Sequence, residues 1–157
     1  MSFKQMAVAT DFSPGADVAF EKTLEMASSF QAKVLVAYVL PSATVFTPLL
    51  DDISVSEMTT NLRQRLRESA ESRLTEHYLD RCAALGIEAE GVLLEGDPAK
   101  ALVEMAQSRQ IDLLVVGSTG LSGLAEAFFG SVAAKVVRRA ECSVIVVRKP
   151  PDPLTMV

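Results

Sequence analysis

Tryptophan is absent from this chain of 157 residues, and only two cysteines, two tyrosines and one histidine occur in it. Cys82 and Cys142 stand far apart, with no C-x-x-C spacing and no companion histidines, so neither reads as a metal ligand. They read as reduced, packed thiols of a cytoplasmic protein, although spacing alone leaves a disulfide between them open. His77 lies in a charged helical stretch without a partner motif and belongs to a helix surface rather than to catalysis. No apolar run approaches the roughly 18 residues that suggest a spanning helix, and the N-terminus lacks the charged and apolar regions of a signal peptide. A membrane role is therefore not expected. Basic residues are also in deficit, 15 Lys and Arg against 20 Asp and Glu, for a formal charge of −5. Because phosphate backbones demand a concentrated basic face, duplex nucleic acid is not an expected partner.

What is abundant is apolar: 49% of the chain. A domain of this length buries roughly 70% of its unfolded surface, enough for one core without metal or disulfide staples. Residues 5 to 10 form a short apolar run that ends in the turn formers Asp11 to Gly15, and helical spacing follows from Ala16 to about Gln31. Val34 to Leu40 is apolar on both faces, as a buried parallel strand should be, and Pro41 stops it. Pro41 to Ser56 has no period and reads as a mobile surface loop. Met58, Leu62, Leu66, Ala70, Leu74, Tyr78 and Cys82 then recur at every fourth residue, predicting one long amphipathic helix to about Leu85, with Gly86 as its stop.

Ile87 to Leu94 reads as a third strand. Asp97 as N-cap with Pro98 at the first helical position starts a helix over Ala99 to about Arg109. Ile111 to Val116 is the most hydrophobic strand, a helix from Val132 to about Ala140 follows a glycine-bearing loop, and Ser143 to Val147 makes the fifth strand. Residues 1–148 thus form one domain, and the proline-rich remainder from Lys149 reads as a disordered tail. Strands alternating with helices predict a three-layer α/β sandwich: a parallel sheet with right-handed crossovers and helices on both faces. Ligands of such sheets sit outside the carboxyl ends of strands where the winding reverses, which directs attention to Asp11 and Gly117.

Gly117, Gly120 and Gly130-Ser131 give the pattern G-x2-G-x9-G-S directly after a buried strand. Glycine permits positive φ and close backbone approach, and a helix starting at Ser131 would aim unpaired N–H groups and a partial positive charge at an anion. Ser118, Thr119, Ser122 and Ser131 add hydroxyls, and no carboxylate intrudes until Glu126. The alternative is a plain tight turn. The pattern is neither a Walker A loop nor the compact G-x-G-x-x-G of dinucleotide folds, so P-loop hydrolysis is not indicated. Asp11 could equally cap the next helix or close an Asx turn, and Phe128 and Phe129 read as core or dimer contacts.

The stretch VVGSTGLSGLAEAFFGSVAAKVVRRAECSVIVVR, Val115 to Arg148, resembles the C-terminal signature of the universal stress protein family. AVATDFSPGADVAFEKTLEMA, residues 7 to 27, resembles the opening strand, acidic loop and first helix of that family, and GDPAKALVEMA, residues 96 to 106, the start of its third helix. The resemblance runs from about residue 3 to 148 around a variable middle. It implies a five-stranded sheet in the order 3-2-1-4-5, assembly as a homodimer and, in one subgroup, bound ATP with or without magnesium. By position, Gly117, Gly120, Gly130 and Ser131 would hold phosphates and ribose, with Ser118 and Val132 beside them. Asp11 would touch the nucleoside or its metal, and Thr10 and the main chain near Val39 would border the adenine. Ala133 stands where binding members often carry a second hydroxyl, and Ala9 where some have proline.

The expectation is therefore an ATP-binding regulatory protein with at most slow hydrolysis, since no nucleophile and base stand in a catalytic pattern. The alternative is a nucleotide-free dimeric interaction protein of the same fold. A nucleotidyl transferase would need an HxGH-type loop, which is missing. The apolar edge 143–147 is the expected dimer contact.

Overall fold

The computed structural model describes residues 2–40, 53–119 and 130–150. Gly120, Ser122, Glu126, Phe128, Phe129 and most of the expected tail fall outside that set, as does 41–52 of the expected surface loop.

Five strands, β1 (Gln5–Thr10), β2 (Lys33–Leu40), β3 (Ala89–Glu95), β4 (Leu113–Gly117) and β5 (Ser143–Val147), form one parallel sheet in the order β3-β2-β1-β4-β5. Each strand sends alternate side chains to opposite faces. Met6, Val8, Val34, Val36, Leu113 and Val115 face α1 (Pro14–Phe30) and the second helix; Ala7, Leu35, Ala37, Leu114 and Val116 face α4 (Pro98–Ser108) and α5 (Ser131–Arg139). Two cores on one sheet account for strands that are apolar on both faces. Strand bounds differ slightly from expectation: Ile87 and Ile111 are buried but precede β3 and β4.

Local chemistry sets the helix starts. Ser13 caps α1 by accepting from the Ala16 N–H at 3.2 Å with Pro14 in the first turn, so the helix begins two residues before Ala16. Asp97 caps α4 as expected, accepting from Lys100 N–H at 3.0 Å. That bond, ahead of the neighbouring cations Lys135, Arg139 and Lys100, holds its carboxyl below the usual range.

The long helix departs from its predicted form. It starts at Ile53, inside the segment expected to be a loop, and consists of α2 (Ile53–Leu74), a π-helical turn (Thr75–Leu79) and α3 (Asp80–Ala84). A period of four overshoots the α-helical turn, so an every-fourth stripe drifts by about 40° per step. The stripe accordingly splits. Met58, Leu62 and Leu66 are exposed, whereas Ala70, Leu74, Tyr78 and Cys82 are buried. The π turn, in which the Asp80 N–H reaches the Thr75 carbonyl, takes up one more residue and turns the drift back, keeping Tyr78 and Cys82 on the core face. Gly86, at φ +69°, ends the run as expected.

Candidate functional site

β1 and β4 are neighbours, and the chain leaves them toward opposite faces of the sheet, α1 on one and α5 on the other. Their carboxyl ends open on a cavity of about 280 Å³. Of the residues predicted for the site, Thr10, Asp11, Val39, Gly117, Ser118, Gly130, Ser131 and Val132 all line it; Gly120 lies outside the described residues. A larger cavity, about 460 Å³, opens at the other pole beside Ile111, Arg139 and Cys142. Because it adjoins the amino ends of β4 and β5, the smaller cavity is the candidate site.

Backbone packing at the mouth explains the glycines. A Cβ on Gly117 would stand 3.0 Å from the Gly15 carbonyl oxygen, one on Gly15 would stand 2.6 Å from the Thr119 oxygen, and one on Gly130 would stand 3.2 Å from the Ser118 oxygen. Neither Gly117 nor Gly130 has positive φ; among the described glycines that conformation belongs to Gly86 and Gly96. At these two positions glycine serves close approach of main chains rather than positive φ. Gly130 N–H donates to the Ser118 carbonyl at 2.7 Å, and Ser118 N–H to the Val147 carbonyl at 2.8 Å, tying the loop's two ends to each other and to β5.

From that anchor α5 begins with Gly130 as a cap that offers no side chain. The first intrahelical bond runs from Ala134 N–H to Gly130, so the amides of Ser131, Val132 and Ala133 have no intrahelical acceptor, and the positive end of the helix points into the cavity that all three line. Ala133 is also buried in the second core, which accounts for an alanine where a hydroxyl was looked for.

Opposite stands the β1–α1 turn. Asp11 closes an Asx turn, its Oδ1 accepting from Ser13 N–H at 3.0 Å, while Ser13 rather than Asp11 caps the helix. Thr10 lines the cavity, but its hydroxyl is committed behind the wall, 2.7 Å from the buried Tyr78 hydroxyl. Burial pushes the Tyr78 phenol well above the usual range, so it stays protonated. Ala9, Ala37, Tyr38, Pro98 and Leu102 also line the cavity. Pro98 and Leu102 escaped sequence reasoning because a cap and an amphipathic face explain them fully; only the fold shows that the start of α4 overhangs the cavity. Cys82 and Cys142 are both free thiols, so no disulfide joins them. Burial raises the pKa of each.

The family model for the universal stress protein family matches residues 2–148. The chain belongs to the universal stress protein family. A curated relative, universal stress protein MJ0531 of Methanocaldococcus jannaschii, is 31% identical over 94% of this chain and 84% of its own length. Another, YxiE of Bacillus subtilis, is 30% identical over 93% and 99%. Among solved universal stress proteins, one in complex with cAMP is 28% identical, with a TM-score of 0.61 over 94% of this chain and 98% of its own. One from Arabidopsis thaliana with AMP bound is 26% identical, with a TM-score of 0.64 over 96% and 98%. Universal stress proteins of this architecture therefore include ones that hold adenine nucleotides.

Proposed function

We propose that this universal stress protein binds an adenine nucleotide, ATP foremost, in the crevice between the β1–α1 turn and the amino end of α5, and that binding itself is the regulatory act. The observation that carries the reading is the uncapped first turn of α5, whose amides open on a cavity walled on its far side by Thr10, Asp11 and Val39. Such a turn suits phosphate, and the walls of Ala9, Ala37, Val39 and Leu102 suit a flat base. The cAMP and AMP bound to family members support the class of ligand.

Magnesium would arrive with the phosphates and meet Asp11 as its protein carboxylate, since this ion keeps most of its waters and takes one or two carboxylates. Among the described residues no cluster of three His, Cys, Asp or Glu stands ready to hold a metal. The protein acts as a switch rather than an enzyme, with at most slow hydrolysis: nucleotide stabilises the arrangement of loops that holds it and so alters the surface offered to a partner. The chain works in the cytoplasm, where two free thiols stay reduced, and as a homodimer through the β5 edge.

Isothermal titration tests the reading. Mg-ATP or AMP should saturate one site per chain. In Gly130→Asp, the new carboxylate would take the cap position and repel phosphate while its Cβ presses on the Ser118 oxygen, and affinity should fall by about tenfold or more while the protein still melts cooperatively. No heat and no thermal shift at millimolar nucleotide would overturn the proposal.

A further inference from the structure

We propose that Tyr78 is a positioning residue for the crevice, setting the conformation of the β1–α1 turn and, through it, the affinity for adenylate; the second half rests on the nucleotide reading. Tyr78 is fully buried in the π turn and does not itself line the cavity; it reaches the lining residue Thr10 through its hydroxyl and packs its ring on Phe12. Its hydroxyl joins two elements. It donates to Asp17 Oδ1 on α1 at 2.8 Å and stands 2.7 Å from Thr10 Oγ1 at the end of β1.

Proton inventory gives this arrangement a direction. A carboxylate only accepts, so the single phenolic proton goes to Asp17, and the Tyr78 oxygen must receive its second bond from Thr10. With its proton spent, Thr10 Oγ1 accepts from the Phe12 N–H at 2.9 Å. One chain of donors therefore runs Phe12 N–H to Thr10 to Tyr78 to Asp17, each bond polarising the next. Its first member is the strained one: Phe12 has φ +60°, which a bulky residue adopts only when its surroundings impose it. The ring of Phe12 is clasped by Tyr38 at 4.9 Å and Tyr78 at 5.8 Å, with the Arg73 guanidinium 3.9 Å above it. Asp11 lies between Thr10 and Phe12, the two residues this chain fixes. The same Tyr78 thus supplies both the polar and the aromatic restraint on the turn that carries Asp11.

The π turn acquires a purpose on this reading. It keeps Tyr78 on the core face at a point where the every-fourth stripe would otherwise continue to drift away from β1.

Amide hydrogen exchange on the full-length, ¹⁵N-labelled protein tests the inference, with Val8 in β1 as the reference for global opening. In Tyr78→Phe the Phe12 amide should exchange about fivefold faster relative to Val8, and titration with AMP should show affinity lowered by about the same factor. Asp17 is partly exposed, so Asp17→Ala provides a second variant that spares the core; it should behave like Tyr78→Phe, whereas Asp17→Asn, which keeps an acceptor, should stay within about twofold of the parent. Exchange at Phe12 that stays level with Val8, whether both are unchanged or both accelerate alike, would overturn the inference. Should the parent protein bind no adenylate, the nucleotide reading and the affinity half fall together, and the exchange ratio decides the positioning of the turn on its own.

Discussion

Asp112 ties the start of one strand to the start of another: its Oδ2 accepts from the main-chain N–H groups of Lys4 and Gln5, each at 2.8 Å. Those bonds, Gln5 first and then Lys4, hold its carboxyl below the ordinary aspartate range. In the unfolded chain the group returns to its ordinary value, so its contribution is complete above that value and is lost as pH falls through the lower, folded one. Asp112→Asn should therefore lower the urea midpoint at neutral pH, and the gap from the parent should close as pH drops below about 4; a gap that persists in acid would refute the assignment. At this scale legibility followed sequence distance. Asp97 was readable because its partner is three residues away in an Asp-Pro start, while Asp112 and Gly15 act on main chain that only folding brings near. Thr10 lines the cavity, but nothing in the sequence points to the bond that commits its hydroxyl to Tyr78.

The second helix shows where periodicity stops being informative. An every-fourth pattern announced one amphipathic face, yet only its later half is buried, because the pattern and the helix have different pitch and the repair lies in a main-chain i→i+5 bond that no residue type announces. Leu74→Ala should thus cost about 2–5 kcal/mol in denaturant unfolding, whereas Leu62→Ala, on the same formal stripe, should fall within about 0.5 kcal/mol of the parent. Equal costs would mean that the stripe packs as a unit. The short elements were easier. β1 and β5 matched their expected limits because turn formers flank a compact apolar run, and α4 matched because its cap and proline leave little choice of start.

At the scale of the molecule, alternation of strand and helix made the parallel layered class readable, but strand order came through family resemblance, since periodicity does not say which strands adjoin. The observed order leaves β3 and β5 as the two edges. β3 carries Glu90 and Glu95, engaged with Arg109 and with Arg63 and Arg67, and such charges discourage edge pairing. β5 offers half-buried Val144, Ile145, Val146 and Val147 instead. Light scattering at micromolar concentration should return a dimer, and a monomer would remove β5 as the contact. The clustering of Tyr38 on the cavity wall and Tyr78 just behind it has a practical consequence in a chain without tryptophan. Every phenol that emits ultraviolet fluorescence sits beside the crevice, so the unlabelled protein is its own optical sensor of whatever enters there.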